Sequence, residues 1–204
     1  MELDEIVIRP VRASEEARYE ELMQRHHYLG ALPKISETPW YVASWGEAWV
    51  ALVSFSASAL KCAARDRWIG WSAEQRARNL PFLVNNSRFL LLPWVRVKGL
   101  ASKILGQAAR QLPGDWQRLY GYRPLLLETL VEEERFRGTC YRAANWIALG
   151  RTQGRGRMDR EHRSPLPPKL LLVYPLCRNV QQRLCQVAAP AYAEPSQGED
   201  SAWG

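Results

Sequence analysis

The chain has 204 residues, a formal net charge of +7 and a hydrophobic fraction of 47%. That apolar content can build one buried core, which excludes wholesale disorder and suits one domain with a tail. No apolar run is long enough to span a bilayer and the acidic start is no signal peptide, so a cytoplasmic protein is expected.

"EIVIRPVR" (5–12) reads as an opening strand ending at Pro10. Residues 14–30 read as a helix, with Ser14 as N-cap, Glu15 and Glu16 in the first turn and Gly30 at its end. "WYVASW" (40–45) and "AWVALVSFSAS" (48–58) read as a hairpin about a Gly-Glu turn, with Trp49, Ala51, Val53 and Phe55 on one face. Residues 59–80 look helical or irregular, and "SAEQ" (72–75) is a capping box. "SRFLLLPWV" (87–95) reads as a buried strand interrupted by Pro93, where a bulge or a splayed strand end is expected. Leu100, Ile104, Ala108 and Leu112 then line a helix over 99–112, and "PGDWQRLYGY" is a connector. "RPLLLETLV" (123–131) is a strand, "YRAANWIALG" (141–150) a helix closed by Gly150, and "KLLLVYPL" (169–176) the last strand. Residues 179–204 read as a loose tail after a domain of 1–178. The fold class expected is a mixed α/β sheet, antiparallel early and partly parallel later.

Four cysteines are scattered without a Cys-x-x-Cys pair. His26 and His27 are adjacent, so on a helix they point about 100° apart. Reduced thiols and no metal site are therefore expected. Between residues 135 and 163 eight arginines stand against two acids, with no lysine. Guanidinium forks suit phosphate oxygens and stack on bases, so Arg151, Arg155, Arg157 and Arg160 are candidate nucleic-acid contacts. A solvated basic face accounts for them equally well. Glu128 stands among leucines in a strand, where a carboxylate needs a partner or a raised pKa. It is the first acid–base candidate, with a buried salt bridge as its structural alternative. His27, at a helix end beside Tyr28, is a second candidate, and Thr139 and Tyr141 offer hydroxyl groups. Asn145 is expected to bond backbone from mid-helix.

Arg96-Val97-Lys98-Gly99-Leu100-Ala101 leads from a strand into a helix start, where free N–H groups and the positive dipole end can hold a pyrophosphate. A packing turn of small residues is the plainer explanation. This Arg-x-x-Gly-x-Ala run resembles the coenzyme-A loop of GNAT acyltransferases, whose pattern is Arg/Gln-x-x-Gly-x-Gly/Ala. The order of elements resembles that fold too, so the resemblance implies a GNAT-like domain with acetyl-CoA or another acyl-CoA bound by Arg96 to Ala101. In that family a helix often ends in Tyr, three residues and Gly-Phe, and the tyrosine protonates the departing thiolate. The run "WIALG" puts Trp146 at that tyrosine's place, and an indole cannot serve as an acid at physiological pH. Trp94 and Trp146 are candidate plugs of the cleft.

"HHYLG", "SFSASALKCAARDRWIGWS", "NNSRFLLLPWVRVKGLASKIL" and "ERFRGTCYRAANWIALGRTQGRGRMDR" together resemble the DruA family of Druantia anti-phage proteins, whose relatives also occur with transposases. Gly-Thr-x-Tyr-x-Ala-x-Asn-Trp is similar, more weakly, to the phage Mom proteins that modify adenine in DNA. The resemblances imply a defence- or transposon-associated protein that binds DNA through an arginine-rich loop and modifies it. A non-catalytic DNA-binding or interaction subunit of a defence or transposase complex is the alternative.

Overall fold

A seven-stranded mixed sheet organises the chain. The computed structural model describes residues 2–152 and 167–186. The strands are β1 (Ile6–Pro10), β2 (Trp40–Trp45), β3 (Ala48–Ala57), β4 (Leu83–Leu91), β5 (Leu126–Glu132), β6 (Ile147–Arg151) and β7 (Lys169–Pro175). β1 to β4 pair antiparallel, β4 and β5 pair parallel, and β7 lies antiparallel between β5 and β6.

The helices are α1 (Glu16–His26), α2 (Ala63–Ile69), α3 (Ala73–Asn79), α4 (Leu100–Tyr120), α5 (Thr139–Ala143) and α6 (Val180–Leu184). Tyr19 and Met23 of α1 pack on Trp40, Val42 and Leu52, while the alternate residues Tyr41, Ala43, Ala51, Val53 and Phe55 share a cluster with α4. The middle of β3 is therefore buried on both faces, and it reads as a nearly continuous apolar run.

Several local expectations are corrected. Ser14 does not cap α1: Ala13–Glu15 form a 3-10 turn, in which the Glu15 carboxylate accepts the Arg12 N–H and pairs with Arg9. Those two partners hold the Glu15 carboxyl at about 2, below its ordinary value. Trp49 leaves the face of Ala51 because Ser44 opposes Trp49 while Ala43 opposes Ala51, so one residue bulges. Ser72 does cap α3, with both reciprocal bonds to Gln75 in place.

α4 does not stop at Leu112 but runs through Pro113 and Gly114 to Tyr120. Proline and glycine inside a helix cost roughly 3 and 1 kcal/mol. Trp116, wholly buried against Tyr120 and Tyr122, removes about 200 Å² from water, worth on the order of 5 kcal/mol, and so outweighs them. Asp115 on the same turn accepts the Tyr41 hydroxyl at 2.9 Å and ties the helix to β2.

The expected helix over 141–150 is replaced by the short α5 and the edge strand β6. The first residues of the expected tail are ordered as α6, whose Val180 and Leu184 join the core; residues 187–204 lie outside the described residues.

Candidate functional site

Parallel pairing of β4 with β5 lasts three residues, Leu83–Asn85 against Leu126–Glu128. Beyond them β4 stays with β3 and β5 stays with β7, so the two strands part and a cleft opens between them. The expected splay beside Pro93 thus begins well upstream, at Asn86, and Pro93 lies in a turn after the strand has ended. At the parting point β4 carries a bulge: Ser54 faces Arg88 and Phe55 faces Asn86, leaving Ser87 unpaired.

The cleft encloses about 480 Å³ and is lined by β4 (86–91), β5 (129–132), the segment 26–29 after α1, the turn 136–138, α5 and Ala101. Asn86 is its polar hinge. Its amide donates to the carbonyls of Ser54 (3.0 Å) and Arg88 (3.1 Å), its side-chain oxygen accepts the Tyr141 hydroxyl (2.6 Å), and its backbone carbonyl accepts from Thr129 (3.0 Å). Burial pushes the Tyr141 phenol above its ordinary value, so it stays protonated at neutral pH. Burial likewise raises the Cys140 thiol, which excludes a ready thiolate nucleophile there.

His27 does reach the cleft, but as a donor. Its Nδ1 accepts the Leu29 N–H at 3.1 Å, so in the neutral ring the proton sits on Nε2. Burial, then Arg88, lower its pKa to about 4, which keeps the ring neutral. A base would need that second nitrogen bare.

Glu128 does not line the cleft. Both its oxygens accept from Arg65 Nη1, at 3.1 and 3.2 Å, with Arg65 0% and Glu128 3% exposed. Arg65 also bonds Asp66 and the carbonyls of Ala59 and Leu60. Burial pushes the Glu128 carboxyl up while Arg65 pulls it down. The acid–base role expected of Glu128 is replaced by a buried scaffold linking α2 to β5.

The segment 96–101 is split. Ala101 lines the cleft, whereas Arg96 and Val97 line a smaller hollow with Trp45, Trp49 and Trp94. Gly99 is the N-cap of α4 at φ 81°, with no side chain capping the helix. Arg96, Lys98 and Gly99 are exposed. The opening amides of a 21-residue helix thus lack a side-chain cap and follow directly on two exposed cations, a fit for a pyrophosphate.

Arg151, a predicted nucleic-acid contact, ends β6 in a bidentate pair with Glu133. Arg155, Arg157 and Arg160 lie outside the described residues. Neither tryptophan plugs the cleft: Trp146 is in the core and Trp94 is 62% exposed, edge-on to His26. Asn145 makes no bond across the cleft; it is exposed, at φ 64°, just past α5. This left-handed residue ends α5 as a glycine would, and Trp146 follows it into β6. The run Tyr141-x-x-x-Asn145-Trp146 therefore has the spacing of Tyr, three residues and Gly-Phe, with the left-handed Asn145 at the glycine's place.

Sequence reasoning passed over Asn86, Thr129, Glu132 and Phe136. Two adjacent asparagines inside an apolar strand, poor β-formers both, were the available signal for the first. Among the described residues Glu132 is the one carboxylate that lines the cleft, and Arg135 holds it at 3.3 Å.

Residues 4–164 match the family described as Druantia protein DruA. No protein with curated annotation is matched by sequence. Among solved structures, the aminoglycoside acetyltransferase AAC(6')-Ib in complex with coenzyme A superposes with a TM-score of 0.57 at 15% identity, covering 87% of this chain and 98% of that one. Its complex with coenzyme A and kanamycin gives 0.56 at 14%, with 87% and 98% covered. The ribosomal-protein-S18-alanine N-acetyltransferase from Escherichia coli gives 0.54 at 9%, with 84% and 94% covered. The fold is that of the GNAT acetyltransferases.

Proposed function

Because the chain belongs to the DruA family and has the GNAT fold, we propose that it is an anti-phage transferase that moves an acyl group from coenzyme A to nucleic acid. The observation that carries this reading is the cleft where β4 leaves β5, with the uncapped start of α4 at one side and the Tyr141 hydroxyl inside. Bound acyl-CoA would supply an activated thioester. Gly99 and the α4 amides, with Arg96 and Lys98 just before them, would hold its pyrophosphate. Asn86 fixes the Tyr141 hydroxyl. A phenol raised above its ordinary value is a weaker acid than a thiol near 8.5, so Tyr141 would turn its one O–H from Asn86 to hydrogen-bond a departing sulfur rather than protonate it outright.

Charge narrows the acceptor. Kanamycin, seen with AAC(6')-Ib, is a polycation. Here Arg88 and Arg137 line the cleft and its one carboxylate among the described residues is engaged by Arg135, which favours a polyanion. The non-catalytic alternative draws on Trp146 at the tyrosine's place; Tyr141, which lines the cleft, supports the catalytic reading instead.

Thermal shift with acetyl-CoA tests the donor. At a hundredfold excess over Kd a ligand adds about 2.7 kcal/mol, raising Tm by roughly 5–10 °C. No shift at millimolar acetyl-CoA with folded protein overturns the reading.

A further inference from the structure

Two aromatic rings from distant segments meet at the mouth of the cleft. Tyr28 follows α1 and Phe136 sits in the turn before α5; their centroids are 5.5 Å apart at 54°. Tyr28 is 37% and Phe136 51% exposed, so neither is spent on the core. His27 backs Tyr28 at 4.9 Å and 29°, and the Arg135 guanidinium lies 5.2 Å from its ring centre. The two rings are tilted, not stacked on each other, and form a partly exposed notch. Around it stand the exposed Arg137, Arg135 paired with Glu132, and Arg88, whose guanidinium bonds the Gly30 and Ser87 carbonyls and keeps its charge at the cleft.

We propose that this notch is a platform for one unpaired nucleobase of a nucleic-acid strand, with the arginines on the flanking phosphates. The inference rests on reading the cleft as the acceptor side of the proposed transferase. Flat rings and a cationic rim together fit a ligand that is planar in one part and anionic in the next. A lipid surface would use the rings without needing flat faces, and a polycationic acceptor would be repelled. A base inside a duplex has both faces covered by its neighbours, so only an unstacked one can use the notch.

The test is fluorescence anisotropy of the full chain with three labelled probes: dT12, an abasic strand of the same length, and the dT12·dA12 duplex. The wild type is expected to bind dT12 at least tenfold tighter than either other probe. Replacing Tyr28 and Phe136 together by alanine should cost at least tenfold on dT12 and erase its advantage over the abasic strand, with the salt slope unchanged. Tyr28→Trp, which restores a flat face, should keep the preference even if the alanine variant folds poorly. Arg137→Ala should flatten the slope by about 0.7 on both single strands.

Equal binding of dT12 and the abasic strand by the wild type, or tighter binding of the duplex, overturns the platform. So does a folded double variant that still prefers dT12. Acetyl-CoA stabilisation without base preference sinks the platform and leaves the transferase standing. Base preference without acetyl-CoA stabilisation does the reverse.

Discussion

Arg65→Met isolates a buried charge. Arg65 is fully buried and both Glu128 oxygens depend on it, so removing it leaves a carboxylate in the core with no cation. Breaking a buried pair from one side costs about 3–5 kcal/mol. At roughly 2–4 °C per kcal/mol, Tm should fall on the order of 10 °C at neutral pH. The cost should depend on pH in a definite direction. Arg65 is the main group pulling the Glu128 carboxyl down, so its loss lets burial drive that pKa further above the unfolded value near 4.3. A raised folded pKa gives stability that is present below the unfolded value and lost as pH rises through the folded one. The variant should thus sit close to wild type at pH 4 and fall away towards pH 8. Adding Glu128→Leu should recover most of the loss and remove the pH dependence. Thermal melts of the four proteins of the cycle decide it. An equal deficit at pH 4 and pH 8, or a deficit below about 1 kcal/mol, would refute the account of Glu128 as scaffold.

Asn145→Gly should be neutral or slightly stabilising at φ 64°, and Asn145→Val should cost about 2 kcal/mol; the reverse ranking in denaturant melts would restore a helix there. His27 has a folded pKa of about 4 against an unfolded value near 6.5, so it withdraws stability as pH falls between those values. Because the ring is only half-buried, solvent screening limits this to about 1 kcal/mol, and His27→Gln should flatten that part of the profile. An NMR titration placing His27 near 6.5 would count against it. Gly99→Ala puts a Cβ 3.4 Å from Leu3 at φ 81°; a loss of about 1–2 kcal/mol and a smaller acetyl-CoA shift are expected, read by melts with and without ligand.

The parts readable from sequence are those with local causes. The 40–57 hairpin has two apolar strands about a two-residue turn, and α3 has a reciprocal cap spanning three residues. What escaped has partners far along the chain. Arg65 and Glu128 are separated by 63 positions, and nothing near either announces the other. The end of α4 looks like a break because Pro113 and Gly114 are visible in sequence, whereas the burial of Trp116 is not. "NWIALG" carries a helix-compatible period, yet a left-handed Asn145 starts a strand that pairs with β7, and only the neighbour settles which period wins. Of the site, Tyr141 and His27 were found as polar side chains near a recognised run. Asn86 was missed because its function is to join elements.

That joining explains why the cleft can exist. Two parallel strands that part expose backbone groups in the gap, and buried orphans cost about 1–3 kcal/mol each. At the point where β4 leaves β5, Asn86 stands in for the missing ladder. Its carbonyl takes the Thr129 hydroxyl from β5, its amide closes the β4 bulge onto Ser54 and Arg88, and its side-chain oxygen takes Tyr141 from α5. One residue, through its backbone carbonyl and its side chain, thus satisfies the edge it opens and fixes the Tyr141 hydroxyl beside the cleft. The same economy accounts for the position of Glu128. As the last β5 residue still paired with β4, it lies at the seam just before the gap, where Arg65 neutralises it inside the core. The next β5 residue, Thr129, faces the cleft. Residues 129–132 have no β4 partner and all line the cleft, so the end of the pairing separates what holds the sheet from what lines the site.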